Sequence, residues 1–281
     1  MRVNALVTGS KGNSYLIEIS QDISSKKLYI LLDCGISYSE LLEYCSKYEI
    51  SLDDIKYLLI THEHSDHIKG VEQLLKKHPN ITIITSKGVS DFLQLDIKIK
   101  EQNHTLKIIS ANDKFLFENF EVFAFEKSHD CIEPLSFIVK CLKTHTKSIF
   151  LTDLGDFTDF HMHLLKRCDI IFLEANYDES LIKSSNMHYT YINRVVSSYG
   201  HLSNLQAVEI CKKIIDAQKH IERELQHKKT IVLSHISQNL NSYERAYLML
   251  KSCIDSYAGE QLRDTILLRV SFQHSPTGWI E

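Results

Sequence analysis

The 281-residue chain has only 3 prolines, 9 glycines and 1 tryptophan. So little proline and glycine excludes a collagen-like, linker-rich or low-complexity protein. No apolar run approaches the roughly 18 to 20 residues of a membrane helix, which excludes a membrane span. The opening stretch MRVNALVTGSKGNSYL lacks the long apolar core of a signal peptide. The 7 cysteines (Cys34, Cys45, Cys131, Cys141, Cys168, Cys211, Cys253) are odd in number, scattered and without a CxxC. That counts against a disulfide framework and fits free thiols in a reducing cytoplasm. A positive excess is also missing, because the net charge is -4. Bulk attraction to nucleic acid is thereby excluded, and such binding needs a local patch. The remainder is ordinary globular material, 43% hydrophobic and 24% charged. It is expected to form one compact, cytoplasmic domain over residues 1–281.

Strand-like runs are read at Val3–Val7, Ser14–Ile19, Leu28–Leu32, Lys56–Ile60 and Ile81–Thr85, with helical patterns at Ser39–Tyr48 and Val71–Lys77. The stretch Leu106–Phe150 is mostly strand-like, at Leu106–Ile109, Phe120–Phe125, Leu135–Leu142 and Ser148–Leu151. From Asp153 onward helices alternate with strands at Ile170–Leu173, Thr230–Leu233 and Ile266–Val270. The longest helical signal begins at Ser203, where Ser203-Asn204-Leu205-Gln206 reads as a capping box. Strand-rich openings followed by helices suit two sheets packed face to face, an α+β arrangement that periodicity alone does not separate from other α+β folds.

Residues 61–67, THEHSDH, follow the apolar run Tyr57-Leu58-Leu59-Ile60. Strand spacing puts His62 and His64 on one side, and a turn at Ser65 is expected to bring Asp66 and His67 round toward them. One cation would take His62 and His64, and a second Asp66 and His67. Imidazole and carboxylate donors without cysteine suit zinc, manganese or iron. The HExxH pattern of metalloproteases is excluded, since position 66 is aspartate.

HxHxDH after a strand resembles the metal signature of the metallo-β-lactamase superfamily. Asp33 in Leu32-Asp33-Cys34-Gly35, His129 in Ser128-His129-Asp130, Asp153 in Thr152-Asp153-Leu154-Gly155 and His235 in Leu233-Ser234-His235-Ile236-Ser237 fit the rest of its pattern, in order. The resemblance covers nearly the whole chain and implies a four-layer αββα sandwich with a binuclear site. It implies His62, His64 and His129 on a first divalent metal, Asp66, His67 and His235 on a second, and Asp153 bridging both. Asp33 is then the carboxylate that orients the metal-binding loop.

The second half of the chain narrows the branch. Glu174-Ala175 ends a strand, and His201-Leu202-Ser203 precedes the capped helix. This order is similar to the RNase Z group, in which a Glu-Ala element and an HxS loop hold a proton donor beside the scissile phosphate. GSKGNSYLI (9–17), DCGIS (33–37), THEHSDHIKG (61–70), SHDCIEPLSF (128–137), TDLG (152–155) and GHLSN (200–204) resemble the YycJ/WalJ/VicX-type branch more closely. That branch is regarded as exonuclease-like and DNA-directed. The chain departs from it at Asn176-Tyr177-Asp178, where the branch tends to have Asn-His-Asp. Asp153 and His235 lie too close in sequence to enclose the domain-sized cassette of a β-CASP nuclease.

The resemblance implies a phosphodiesterase with two divalent ions, zinc or manganese, that hold a bridging hydroxide for attack on phosphorus. The catalytic residues are then Asp66, His201 as proton donor and Glu174 beside it. Ser203 and Asn204, at a helix N-terminus, are expected to meet the anionic substrate. The substrate expected is DNA. Cyclic nucleotides are the alternative, and a lactonase or thioesterase on the same metals would not need the Glu174/His201 pair. The lysines at 69, 76, 77, 140, 143 and 147 read as solvated faces rather than a DNA track.

Overall fold

A computed structural model describes residues 1–19, 27–95, 104–219 and 228–281. The chain divides into two compact units, one of residues 1–126, 131–145 and 273–281, the other of residues 127–130 and 146–272.

In the first unit, strands β1 (Arg2–Val7), β2 (Ser14–Ile19), β3 (Leu28–Leu32), β4 (Ile55–Leu59), β5 (Thr82–Thr85) and β6 (Thr105–Ile108) lie side by side in chain order. The first three pair antiparallel, and β3 to β6 pair parallel. Parallel neighbours need crossovers, and helices α1 (Tyr38–Lys47), α2 (Ser65–Ile68), α3 (Val71–Lys77) and α4 (Lys87–Phe92) lie in them. Helix α1 starts where the sequence can cap it: Ser37 accepts from the Glu40 amide and Glu40 returns the bond to the Ser37 amide. Its Leu41 and Cys45 join Leu31, Leu58, Ile83, Leu74 and Leu75 in one apolar core. Residues near the C-terminus close the free edge of β1, with Val3 and Ile280 exchanging backbone bonds of 2.9 and 2.8 Å. An antiparallel ladder of β7 (Lys114–Leu116), β8 (Phe120–Glu126) and β9 (Leu135–Cys141) completes the unit.

The second unit is a parallel sheet of β10 (Lys147–Leu151), β11 (Ile170–Glu174), β12 (Lys229–Ser234) and β13 (Ile266–Val270). Its inner strands, IIFLE and KTIVLS, are wholly buried and centre on the apolar runs IIFL and IVL, as buried parallel strands do. Helices α5 (Asp159–Leu165), α6 (Glu179–Ser184), α7 (Tyr189–Val196), α8 (Asn204–Lys219), α9 (Tyr243–Tyr257) and α10 (Gly259–Arg263) connect and follow the strands. The expected capping box of α8 is present: Ser203 Oγ accepts from the Gln206 amide at 3.1 Å, and Gln206 Oε1 accepts from the Ser203 amide at 2.8 Å. Among the described residues no helix is long and apolar enough to cross a membrane.

In both units the chemistry-bearing residues follow strand carboxyl ends, the usual ligand edge of parallel sheets. Asp33 follows β3 and His62 follows β4; Asp153 follows β10, Glu174 ends β11 and His235 follows β12.

Candidate metal-ligand clusters

In the first unit the HxHxDH segment is braced from below. Asp33 turns the chain out of β3 in the left-handed region, at φ 55°. Its Oδ1 accepts from the Thr61 amide at 2.8 Å, and its Oδ2 accepts from Thr61 Oγ1 at 2.9 Å and from Nδ1 of His67 at 2.7 Å. Thr61 Oγ1, committed as a donor to Asp33, accepts from Nδ1 of His62 at 2.8 Å. One buried carboxylate thus orients two imidazoles, one directly and one through a hydroxyl. The backbone is locked from the other side: Asn13 N donates to Asp66 O at 2.7 Å, Cys34 N to His67 O at 2.9 Å and Gly70 N to Cys34 O at 2.8 Å. Gly35 makes this approach possible, since a Cβ there would stand 1.7 Å from the Asp66 carbonyl oxygen. The expected turn at Ser65 is a short helix, α2, which carries Asp66 and His67. The ring centroids of His62 and His64 lie 4.8 Å apart, and those of His62 and His67 lie 4.0 Å apart.

In the second unit Asp153, Glu174, His201 and His235 present donor atoms within 4.8 Å of one another. Glu174 is fully buried and organises the group. Its Oε1 accepts from Nδ1 of His235 at 2.7 Å and from Nδ1 of His201 at 2.9 Å. Its Oε2 accepts from the Leu154 and Leu202 amides at 3.0 and 3.1 Å. Burial alone would raise this carboxyl, but the His201 and His235 imidazoles outweigh it and hold it down, to about 2. Asn176 Nδ2 donates to the His235 carbonyl at 2.8 Å. His129 has Nδ1 3.3 Å from the Gly200 carbonyl, and burial pushes its imidazole down to about 3 against the pull of Asp153. The buried ammonium of Lys127 donates to the Thr152 carbonyl at 3.1 Å and stands 4.0 Å from Asp153 Oδ2. Asp153 and His235, at φ 54° each, repeat the left-handed turn of Asp33. Gly155 lets the Asp153 loop touch the segment before His201, where a Cβ would stand 2.3 Å from the Ser198 carbonyl.

These clusters fit divalent cations. His62, His67, His129 and His235 each have Nδ1 against a protein oxygen, which makes Nε2 the ligand atom. On that side His67 Nε2 lies 3.6 Å from Asp66 Oδ2, while His235 Nε2 and His129 Nε2 lie 3.4 and 3.9 Å from Asp153 Oδ1. Such separations are too long for hydrogen bonds and suit pairs of ligands about 2 Å from a shared cation.

Asn204, expected to meet the substrate, is wholly buried, donates to Asn241 Oδ1 at 3.1 Å and accepts from Asn241 Nδ2 at 2.8 Å. Ser203 is 2% exposed, and its hydroxyl caps α8. Thr61, Asn13 and Asn176 touch the clusters without having been expected there. Asn13 Nδ2 lies 3.1 Å from Asp66 Oδ2 and 3.0 Å from His67 Nε2. The sequence signal for it was the polar turn of Ser10 to Ser14; Thr61 had only its place beside His62.

Comparison with known proteins agrees with this geometry. Residues 29–221 match the β-lactamase superfamily domain. The chain is 27% identical over 257 residues to exodeoxyribonuclease WalJ of Streptococcus pneumoniae, covering 89% of this chain and 86% of that one. It is also 27% identical over 256 residues to exodeoxyribonuclease YycJ of Bacillus anthracis, covering 91% and 89%. The metallo-β-lactamase fold protein YhfI of Bacillus subtilis superposes with a TM-score of 0.68 at 12% identity, over 98% of this chain and 99% of that one. That last likeness concerns the fold alone. With more than half its length matched and its imidazole and carboxylate donors in place, the chain belongs to the β-lactamase superfamily, as one of its metal-dependent hydrolases.

Proposed function

We propose that the protein is a nuclease acting on DNA in an exonuclease-like manner, with two divalent ions, zinc or manganese, held by His62, His64, Asp66, His67, His129, Asp153 and His235. Bound there, such ions supply charge to neutralise a phosphate and acidify a water. The names of the WalJ and YycJ relatives support the substrate class. The observation that carries the reading is the Glu174 carboxylate, whose one oxygen meets both His235 and His201.

That arrangement gives the two imidazoles different work. His235 presents Nε2 toward Asp153, as a ligand does. His201 is held by the same oxygen at Nδ1, so its Nε2 proton is the one to hand to the leaving alkoxide. In this reading Asp66, 22% exposed at its side chain, orients the attacking water. A thioesterase needs no such donor, because its thiolate departs more easily than an alkoxide.

The test sets the metal-loaded protein against linear DNA, RNA, a cyclic mononucleotide and a lactone in parallel, with elemental analysis of protein purified without chelator. DNA cleavage with about two metals per chain is expected. Preferential turnover of the cyclic nucleotide or the lactone would overturn the reading.

A further inference from the structure

The first unit contains a cavity of about 680 Å³, within the range of small-molecule sites, that starts at the Asp66 loop. Away from Asp66 its wall has an apolar part, formed by Leu75, Leu93 and the ring of Phe92, and carries Glu72 and Glu63, the latter accepting from the Ile132 amide at 2.9 Å. Phe92 closes helix α4 and is 54% exposed, although a ring of that size is usually covered. Lys11, in the β1–β2 turn, and Lys69, just past α2, also line the cavity. Lys11 is exposed, and Lys69 stands 3.7 Å from Glu40 in a solvated pair that a phosphate can displace.

We infer that this cavity is a nucleotide subsite, with Phe92 as the stacking surface for a base and Lys11 and Lys69 as contacts for the phosphate next to it. The inference rests on the nuclease reading for its ligand class. Charge and shape argue for this occupant. A lipid or apolar peptide would press apolar surface against the charged side chains of Lys11 and Lys69. A bare phosphate would leave the exposed ring and the leucine wall unused. A nucleotide joins a flat π-face to an anion, and this cavity holds the complements of both. Stacking is tolerant of sequence, so the subsite would hold the chain without selecting a base. Lys11 and Lys69 supply two cationic contacts in a cavity that also carries Glu63, Asp66 and Glu72, on a protein whose net charge is -4.

The experiment is calorimetric titration of the full-length, zinc-loaded protein with deoxyadenosine 5′-monophosphate and with deoxyribose 5-phosphate, which lacks the base. The nucleotide is expected to bind roughly tenfold more tightly or better, the size of one base–aromatic stack. Phe92→Ala should close that gap and Phe92→Trp should keep it. Lys11→Ala should weaken both probes and flatten their salt dependence. Equal affinity for the two probes, or a gap that survives Phe92→Ala, would overturn the subsite. Cleavage of linear DNA is measured on the same preparations. Absence of cleavage together with a Phe92-dependent gap would sink the nuclease reading and leave the nucleotide subsite standing.

Discussion

Oε1 of Glu174 lies 2.7 Å from Nδ1 of His235, and the same oxygen lies 2.9 Å from Nδ1 of His201. One buried charge therefore holds a proton on Nδ1 of two imidazoles, and this makes substitutions at Glu174 diagnostic.

In Glu174→Gln the two backbone donors, Leu154 N and Leu202 N, retain the carbonyl oxygen. The new NH2 then faces both Nδ1 atoms and drives the ring protons to Nε2. Nε2 of His235 is thereby lost as a lone pair. Zinc affinity is expected to fall about 10- to 100-fold, the usual effect of losing such a partner. Competition with a chromophoric chelator measures it, and unchanged affinity would refute the tautomer argument.

Asp33 should behave in the same way in the first unit, with a second component. Asp33→Asn keeps a residue that tolerates φ 55° but turns an N–H2 toward Nδ1 of His67. Asp33→Ala also places an alanine in the left-handed region, at a cost of about 1 kcal/mol. Both variants should lose metal, and only the alanine variant should show that additional drop in the urea midpoint of metal-free protein.

If His201 protonates the leaving oxygen, His201→Ala should slow cleavage of a natural diester about 10²- to 10⁴-fold. Bis(p-nitrophenyl) phosphate, whose p-nitrophenolate departs unaided, should be slowed far less. Equal losses on the two substrates would assign His201 to binding or support.

Glu18 provides a pH-dependent contribution to stability remote from the ligands. Its carboxylate accepts from Arg2 at 2.9 and 3.0 Å and from the Tyr29 hydroxyl at 3.0 Å. Burial raises this carboxyl, but those donors win and hold it below the usual carboxylate range. A depressed folded-state value means that the stabilisation is present above the unfolded-state value and is lost as pH falls through the folded one. Glu18→Gln should cost about 1.5 to 3 kcal/mol at pH 7 and progressively less in acid. Urea unfolding at several pH values decides this; a constant difference would exclude the linkage.

Asp153→Ala and Asp153→Gly should both lose metal, since each removes the carboxylate. At φ 54° glycine is unstrained and alanine is not. Metal-free Asp153→Gly should therefore melt above Asp153→Ala, the reverse of the usual order of these residues. Adding zinc should raise the melting point of the wild type and of neither variant.

Much of this was legible in the chain because it is local. Apolar runs located most strands to within a residue or two, and Ser203 with Gln206 announced the start of α8. Strand β7 was missed because it has three residues and turns Leu116 70% to solvent, leaving no periodicity to read. Helix α2 was read as a turn because four residues carry no helical pattern. His62 to His67 stand out because four ligands fall in six positions. The Glu174–His235 contact spans 61 positions and the Asn13–His67 contact 54, so neither leaves a spacing to recognise. For a related reason the burial of Ser203 and Asn204 has no sequence signal: a sequence shows a capping box but not how deeply it is buried.

Three of the clusters' residues, Asp33, Asp153 and His235, hold backbone conformations that glycine would adopt more easily. At these positions, durability and chemistry pull in opposite directions. A gene copy relieved of its catalytic duty, or a laboratory search for heat resistance that ignores activity, should drift toward glycine there. Glycine at 33, 153 or 235 in a related chain would thus mark retirement from catalysis rather than decay of the fold.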